Sequence, residues 1–432
     1  ARSTGGMFMK SVSRIALGVA LVLGGASVVA TAPADAQKKK KGDAAAAPNA
    51  ATISLTKEER AALLPVQTAV VAKDWAAAQA ALPAAAAAAT SPGGRYAIGR
   101  FQLEIGTGTN NVAMQAQGLD NLLASGQVEA SQLPIIYRNQ AALADKAGNK
   151  AKAEAAFAKV VELTPNDPEA LISLAQVKND LKKPAEAVQL ITRAIDLQRA
   201  SGQPVKESWY KYALKLAFDG RSNPALREAS QKLSRDLVAA YPTKENWRDS
   251  ILIFRDTNNL DAAAELDVLR FMRASGSLAG ERDWYDLIDG LYKAGNYAEA
   301  KAVLDDGSAK RMIDPKKAAF AELVRLTNAR MAGDRASLGG EESKAMAAAS
   351  GASALKIGDA FYGYGEHAKA IALYRAALAK GGVDANLVNT RLAMALLASG
   401  DRAGAETAFR GLTGPRQNLG AFWLAWLARG GA

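Results

Sequence analysis

Apolar residues recur along most of this chain every three to four positions, the period of a helix buried on one face. Between Ala352 and Gly382 one amphipathic stretch runs into a glycine turn and a second follows, with Ala370, Tyr374 and Ala377 at i, i+4 and i+7. That spacing puts the three on a single helical stripe. The two-stretch unit recurs from residue 53 onward. Counterparts of Ala370 stand at Ala78, Ala113, Ala153, Ala187, Ala225, Ala263, Ala300, Ala336 and Ala405, in steps of 34 to 40 residues. A bulky residue lies 16 positions before several of them, at Tyr137, Leu171, Trp209, Trp247, Trp284 and Phe320. Helix axes come close only where the facing side chains are small, so these alanines are the predicted crossing points.

The punctuation follows the same phase. Asp167-Pro168, Asn223-Pro224 and Asp314-Pro315 each set a capping side chain before a proline at a first helical position. Gly148, Gly220, Gly295, Gly365 and Gly400 fall where a first helix must stop. Thr56-Lys-Glu-Glu59 is a candidate capping box for the first helix. Between residues 316 and 350 the pattern loosens, and Gly339-Gly340 is expected to interrupt the second helix.

A repeat of about 34 residues with two helices per unit resembles the tetratricopeptide repeat. Tyr137, Gly148, Ala153, Phe157 and Pro165 follow that family's order of large, turn, small, apolar and terminal residues, as do Trp284, Gly295, Tyr297, Ala300 and Leu304. The resemblance spans roughly residues 53–415 and is strongest over 134–199, 247–307 and 352–412. It implies an all-α, right-handed superhelical solenoid of about ten helical hairpins. It also implies that unpacked positions of each first helix line a concave wall that holds protein or peptide. Carried over by register, that wall comprises Arg138, Asp145, Asn179, Tyr210, Phe218, Arg248, Arg255, Tyr285, Asp289, Tyr292 and Tyr362. Tyrosine and arginine are frequent interface anchors, and here they concentrate between the fifth and seventh repeats. The alternative is the ordinary solvated face of amphipathic helices.

After Pro415, Phe422, Trp423, Leu424, Trp426 and Leu427 crowd one short stretch. Residues 416–432 are therefore expected to form a helix that caps the last exposed core face. The other reading of the same residues is an aromatic docking surface.

Composition narrows the chemistry. Aromatic residues make up only 6% of the chain and alanine is abundant, which suits many closely packed helices better than a few large cores. There is no cysteine and a single histidine, His367. Disulfides, thiolate ligands, cysteine nucleophiles, histidine triads and ordinary zinc sites are thereby excluded or nearly so. Ile105-Gly-Thr-Gly-Thr-Asn-Asn superficially matches a dinucleotide loop, yet it lacks the third glycine and follows a helical stretch. It reads as an inter-helix loop capped by Thr109 or Asn110. Asp305-Asp306 and Glu341-Glu342 are adjacent pairs, which on a helix point apart. No catalytic, cofactor or metal site is expected, and the chain reads as a non-enzymatic scaffold or adaptor.

The net charge of +11 lies partly in the first 36 residues (Arg2, Lys10 and Arg14 against Asp35), and no aromatic-basic interleaving marks a nucleic-acid binder. Lys10 and Arg14 precede an uncharged stretch from Ile15 to Ala30, and Ala34-Asp-Ala36 fits the small-residue rule for signal peptidase. Residues 1–36 are expected to be a signal peptide cut after Ala36, with Met7 or Met9 as the start, and the body to be exported to the periplasm or cell envelope of a bacterium. Lys38 to Lys41 disagree, because positive charge there resists translocation. They favour an uncleaved anchor instead, or a segment that holds anionic lipid or polysaccharide. Residues 37–52 read as a flexible basic and alanine-rich linker, 53–415 as the repeat array.

Overall fold

The computed structural model describes residues 53–431, which form twenty helices. The signal segment, the linker and Lys38 to Lys41 lie outside the described residues. None of the described helices is long and apolar enough to cross a membrane. The chain divides into two compact units, Ala1–Gln203 and Pro204–Ala432.

Four hairpins build the described part of the N-terminal unit. They are α1 (Lys57–Val71) with α2 (Trp75–Ala88), and α3 (Pro92–Gly108) with α4 (Val112–Ser125). Then come α5 (Leu133–Lys146) with α6 (Lys150–Leu163), and α7 (Pro168–Asp180) with α8 (Pro184–Ala200). Helix α1 opens on the capping box: Thr56 Oγ1 accepts from Glu59 N at 3.1 Å, and Glu59 Oε2 accepts from Thr56 N at 3.0 Å. Glu59 also accepts from the backbone and hydroxyl of Ser91, which caps α3, so one buried carboxylate ties two hairpins.

The C-terminal unit begins with α9 (Glu207–Asp219) and α10 (Pro224–Ala240), followed by α11 (Lys244–Thr257) and α12 (Ala262–Ala274). Next are α13 (Gly280–Lys293), α14 (Tyr297–Ala309) and the long α15 (Ala318–Ala347). The chain ends with α16 (Ala352–Gly363), α17 (His367–Lys380), α18 (Ala385–Ala398), α19 (Arg402–Arg410) and α20 (Pro415–Leu427). Successive helices pack pairwise as in a helical-hairpin solenoid. In addition α12 meets α18, and α20 packs on α10, α12 and α18 as well as on its neighbour α19. Helices α12 and α18 are therefore buried on nearly all sides, from Leu266 to Met272 and from Thr390 to Leu396.

Ala78, Ala153, Ala187, Ala300, Ala370 and Ala405 are fully buried at the crossings expected for them. In α12 the crossing falls one residue later, at Ala264. Ala113, Ala225 and Ala336 are exposed. The α3–α4 crossing uses glycines instead: a Cβ on Gly99 would sit 2.8 Å from the Gly118 carbonyl oxygen, and one on Gly118 equally near Gly99 O. Helix α10 turns buried Ser230 and Ser234 inward, and Ser250 Oγ of α11 donates to Ser234 O at 3.0 Å.

Four expectations are corrected. Gly339-Gly340 does not break its helix, since α15 runs unbroken through both; each glycine is exposed, so the helix keeps its hydrogen bonds at a modest propensity cost. Asp314 caps only a turn, accepting from Lys316 N, and α15 starts three residues past Pro315. Gly220 ends α9 with an ordinary negative φ; it is small because Leu226 lies against it, whereas Gly148, Gly295, Gly365 and Gly400 do adopt positive φ. The Ile105–Gly108 segment is the last turn of α3, and the cap of α4 is Asn111, whose Oδ1 accepts from Met114 N at 3.0 Å.

Candidate functional site

The concave-wall residues carried over from the repeat register fall on α5, α7, α9, α11, α13 and α16. In the N-terminal unit, exposed Arg138 pairs with Asp167, the cap of α7, at 2.7 Å. Asp145 holds Lys150 at 2.6 Å, and Lys150 also reaches Asp180. Half-buried Asn179 precedes Asp180 in the last turn of α7.

In the C-terminal unit Tyr210 is buried, its ring edge-on to Tyr241 at 6.4 Å, so it serves packing. Phe218 is half-buried under the Arg221 guanidinium, 4.0 Å from the ring centroid. The stripes on α11 and α13 are better suited to an outside partner. Arg248, Leu252 and Arg255 stand at i, i+4 and i+7 on α11, and Leu252 is among the exposed large hydrophobic side chains. Tyr285, Asp289 and Tyr292 repeat that spacing on α13 and are half-buried. Arg248 of α11 binds Asp283 at the start of α13 and donates to Ser277 O, a charged link between the two helices. Arg255 pairs with Glu265, Asp289 with Lys293 at 2.6 Å, Tyr285 meets Phe320 of α15, and Tyr292 meets Tyr297.

The space beside α12 is filled by α18 and α20. Phe422 lies edge-on to Trp247 and Phe254 and stacks on Phe271, while Trp423 packs against Phe271 and Phe409. Beside these rings lies a set of buried charges distributed over five helices. Asp267 of α12, with no exposed surface, accepts from Arg270 Nη1 at 2.8 Å and from Arg416 Nη1 of α20 at 2.6 Å. Arg270 also makes two bonds to Glu299 of α14. Arg391 of α18 binds Asp359 of α16, which accepts from the Tyr374 hydroxyl at 2.8 Å. Arg416 additionally reaches Thr390 Oγ1 at 3.2 Å. Three arginines thus face three carboxylates, and no member can leave without stranding another.

Burial works to raise the Asp267 pKa, but Arg391, Arg270 and Arg416 outweigh it and hold the carboxyl below its ordinary value. At Asp359 burial prevails over Arg391 and the pKa is raised. This network escaped sequence reasoning, although charged residues inside Leu266-Asp-Val-Leu-Arg-Phe-Met272 and Thr390-Arg-Leu392 were a visible signal of buried pairing. Tyr362 is not beside the α11–α13 stripes. It lies on α16 with its ring 5.5 Å from His367, whose pKa is lowered by burial. Among the described residues no three His, Cys, Asp or Glu side chains are placed to hold a metal ion.

A family model of the tetratricopeptide repeat matches residues 138–204 and 355–419. Over those two stretches, close to a third of its length, the chain is similar to that family. No curated protein matches. Solved structures that resemble it include a tetratricopeptide repeat protein from Parabacteroides merdae, at 13% identity and a TM-score of 0.27, covering 79% of this chain and all of that one. Yeast Tom70 aligns at 12% identity and a TM-score of 0.20, covering 77% of this chain and 95% of that one. The Naa15/Naa10 complex bound to HypK-THB aligns at 13% identity and 0.27, covering 86% and 67%.

Proposed function

We propose that this chain is a non-enzymatic scaffold of the bacterial cell envelope that binds protein or peptide through the outward stripes of α11 and α13. The observation that carries the reading is the repeated Arg/Leu/Arg and Tyr/Asp/Tyr spacing on two helices linked by the Arg248–Asp283 ion pair. It combines aromatic area, an exposed leucine and directional donors, as interface anchors do. The fold supports it too, because helical hairpin arrays offer extended surfaces built from many short elements. Export rests on the basic region, apolar stretch and Ala34-Asp-Ala36 of the N-terminal segment.

A crosslinked pull-down from envelopes tests this, with residues 37–432 as bait beside an Arg255→Ala/Tyr285→Ala/Tyr292→Ala variant of unchanged melting behaviour. A protein held by the wild type and lost by the variant supports the surface. Identical capture by both, or capture by neither, removes it. Export is checked separately by the N-terminus of the mature chain, expected at Gln37 in an extracytoplasmic fraction.

A further inference from the structure

The C-terminal unit contains a cleft of about 370 Å³ walled by α12, α14, α16, α18 and α20, a volume at the lower end of what small ligands occupy. Its charges do not cancel locally. Arg270 and Glu299 satisfy each other through paired bonds. Arg273 and Lys310, however, share one carboxylate: Asp306 lies 3.1 Å from Arg273 Nε and 2.8 Å from Lys310 Nζ. One positive charge is therefore in surplus at the rim. Trp423 forms part of the wall, and its buried indole N–H meets no acceptor among the described residues, a costly state for a buried donor. Met394 and the Trp423 ring supply an apolar side. The Tyr362 hydroxyl stays protonated, its pKa pushed up to about 12 by burial and then by Glu299.

We propose that this cleft binds a small organic monocarboxylate, its carboxylate bridging Arg273 and Lys310 and its apolar body lying against Met394 and Trp423. A planar carboxylate suits the guanidinium fork, and its single charge matches the single surplus cation. A phosphate dianion would exceed that surplus.

The test uses the full chain, phenylacetate as probe, and the nitrogen-15 indole resonance of Trp423, assigned by its disappearance in Trp423→Phe. Phenylacetate is expected to shift that resonance saturably, with a dissociation constant of about 1 mM, while neutral phenylacetamide leaves it in place. Lys310→Gln, at a half-exposed position, should weaken binding about tenfold, and Asp306→Asn should tighten it by freeing both cations. No saturable shift up to about 10 mM overturns the proposal. So does an equal response to phenylacetamide or to inorganic phosphate, or weaker binding by an Asp306→Asn variant that still melts cooperatively.

Discussion

Replacing Asp267 by asparagine keeps the side chain's shape and removes one charge from a site with no solvent access. Arg270 would retain Glu299, and Arg391 would retain Asp359. Arg416 would lose its carboxylate partner and be left with neutral acceptors, Thr390 Oγ1 at 3.2 Å and the new amide oxygen, and its Nη2 already lacks a partner. The result is a buried, uncompensated guanidinium, a defect that costs about 3–5 kcal/mol, against a typical domain stability of about 5–15 kcal/mol. Asp267→Asn/Arg416→Met removes the orphan cation as well, so the double variant should recover about 2 kcal/mol relative to the single. Urea unfolding followed by tryptophan fluorescence reads this well. Trp209, Trp247, Trp284, Trp423 and Trp426 lie in the C-terminal unit and Trp75 alone in the other. A single variant losing under about 1 kcal/mol, or a double variant weaker than the single, would refute the reasoning. The pH dependence carries the same logic. Asp267 titrates lower when folded, so its contribution is present above its ordinary value of 3.8 and is lost as the pH falls through the folded pKa. Asp359 has the opposite sign: its contribution is complete below 3.8 and is lost as the pH rises through its raised value. Asp267→Asn should therefore flatten the acid limb of the stability curve.

Three further outcomes are expected. Ala300→Leu overpacks the α13–α14 crossing, where Ala300 is fully buried, and should cost about 1–3 kcal/mol; an unchanged melting curve would remove the assigned register. Gly118→Ala drives a methyl to within 2.8 Å of Gly99 O and Leu103 N, backbone atoms that cannot swing aside, so hydrogen exchange in α3 and α4 should accelerate while α16–α19 stay protected. His367→Gln should make stability less sensitive to acid. The histidine's lowered folded pKa means its contribution is present above 6.5 and is lost as the pH falls below that value, and equal acid sensitivity in both proteins would rule out the burial-driven shift.

The repeat was legible because a small residue at a close helix crossing is a local demand, met by alanine at positions 78, 153, 187, 300, 370 and 405. Where other small residues meet that demand the alanine register misled: Gly99 and Gly118 serve α3–α4, and Ser234 with Ser250 serves α10–α11. The closing of the C-terminal unit was not legible, since Asp267 finds Arg416 149 positions away, a pairing that no window of sequence contains. The aromatic run in α20 suggested a cap or a docking face; its rings cover α19 as a cap does, and they also seat against α11 and α12. The α11 and α13 stripes were visible as spacing, but their separation from Tyr362 depends on which side of each helix faces α12.

The packing of α20 on α10, α12 and α18 closes the C-terminal unit that carries the stripes of α11 and α13. Arg235 Nη1 of α10 donates to Asn418 Oδ1 of α20 at 2.6 Å, and the chain has no cysteine of its own. The most direct measurement is therefore treatment of an Arg235→Cys/Asn418→Cys variant with a short bismaleimide at high dilution, followed by peptide mass mapping. The account predicts an intramolecular link joining α10 to α20 in the monomer. Absence of that link, with both cysteines reacting singly, or links found only between two chains, would contradict it.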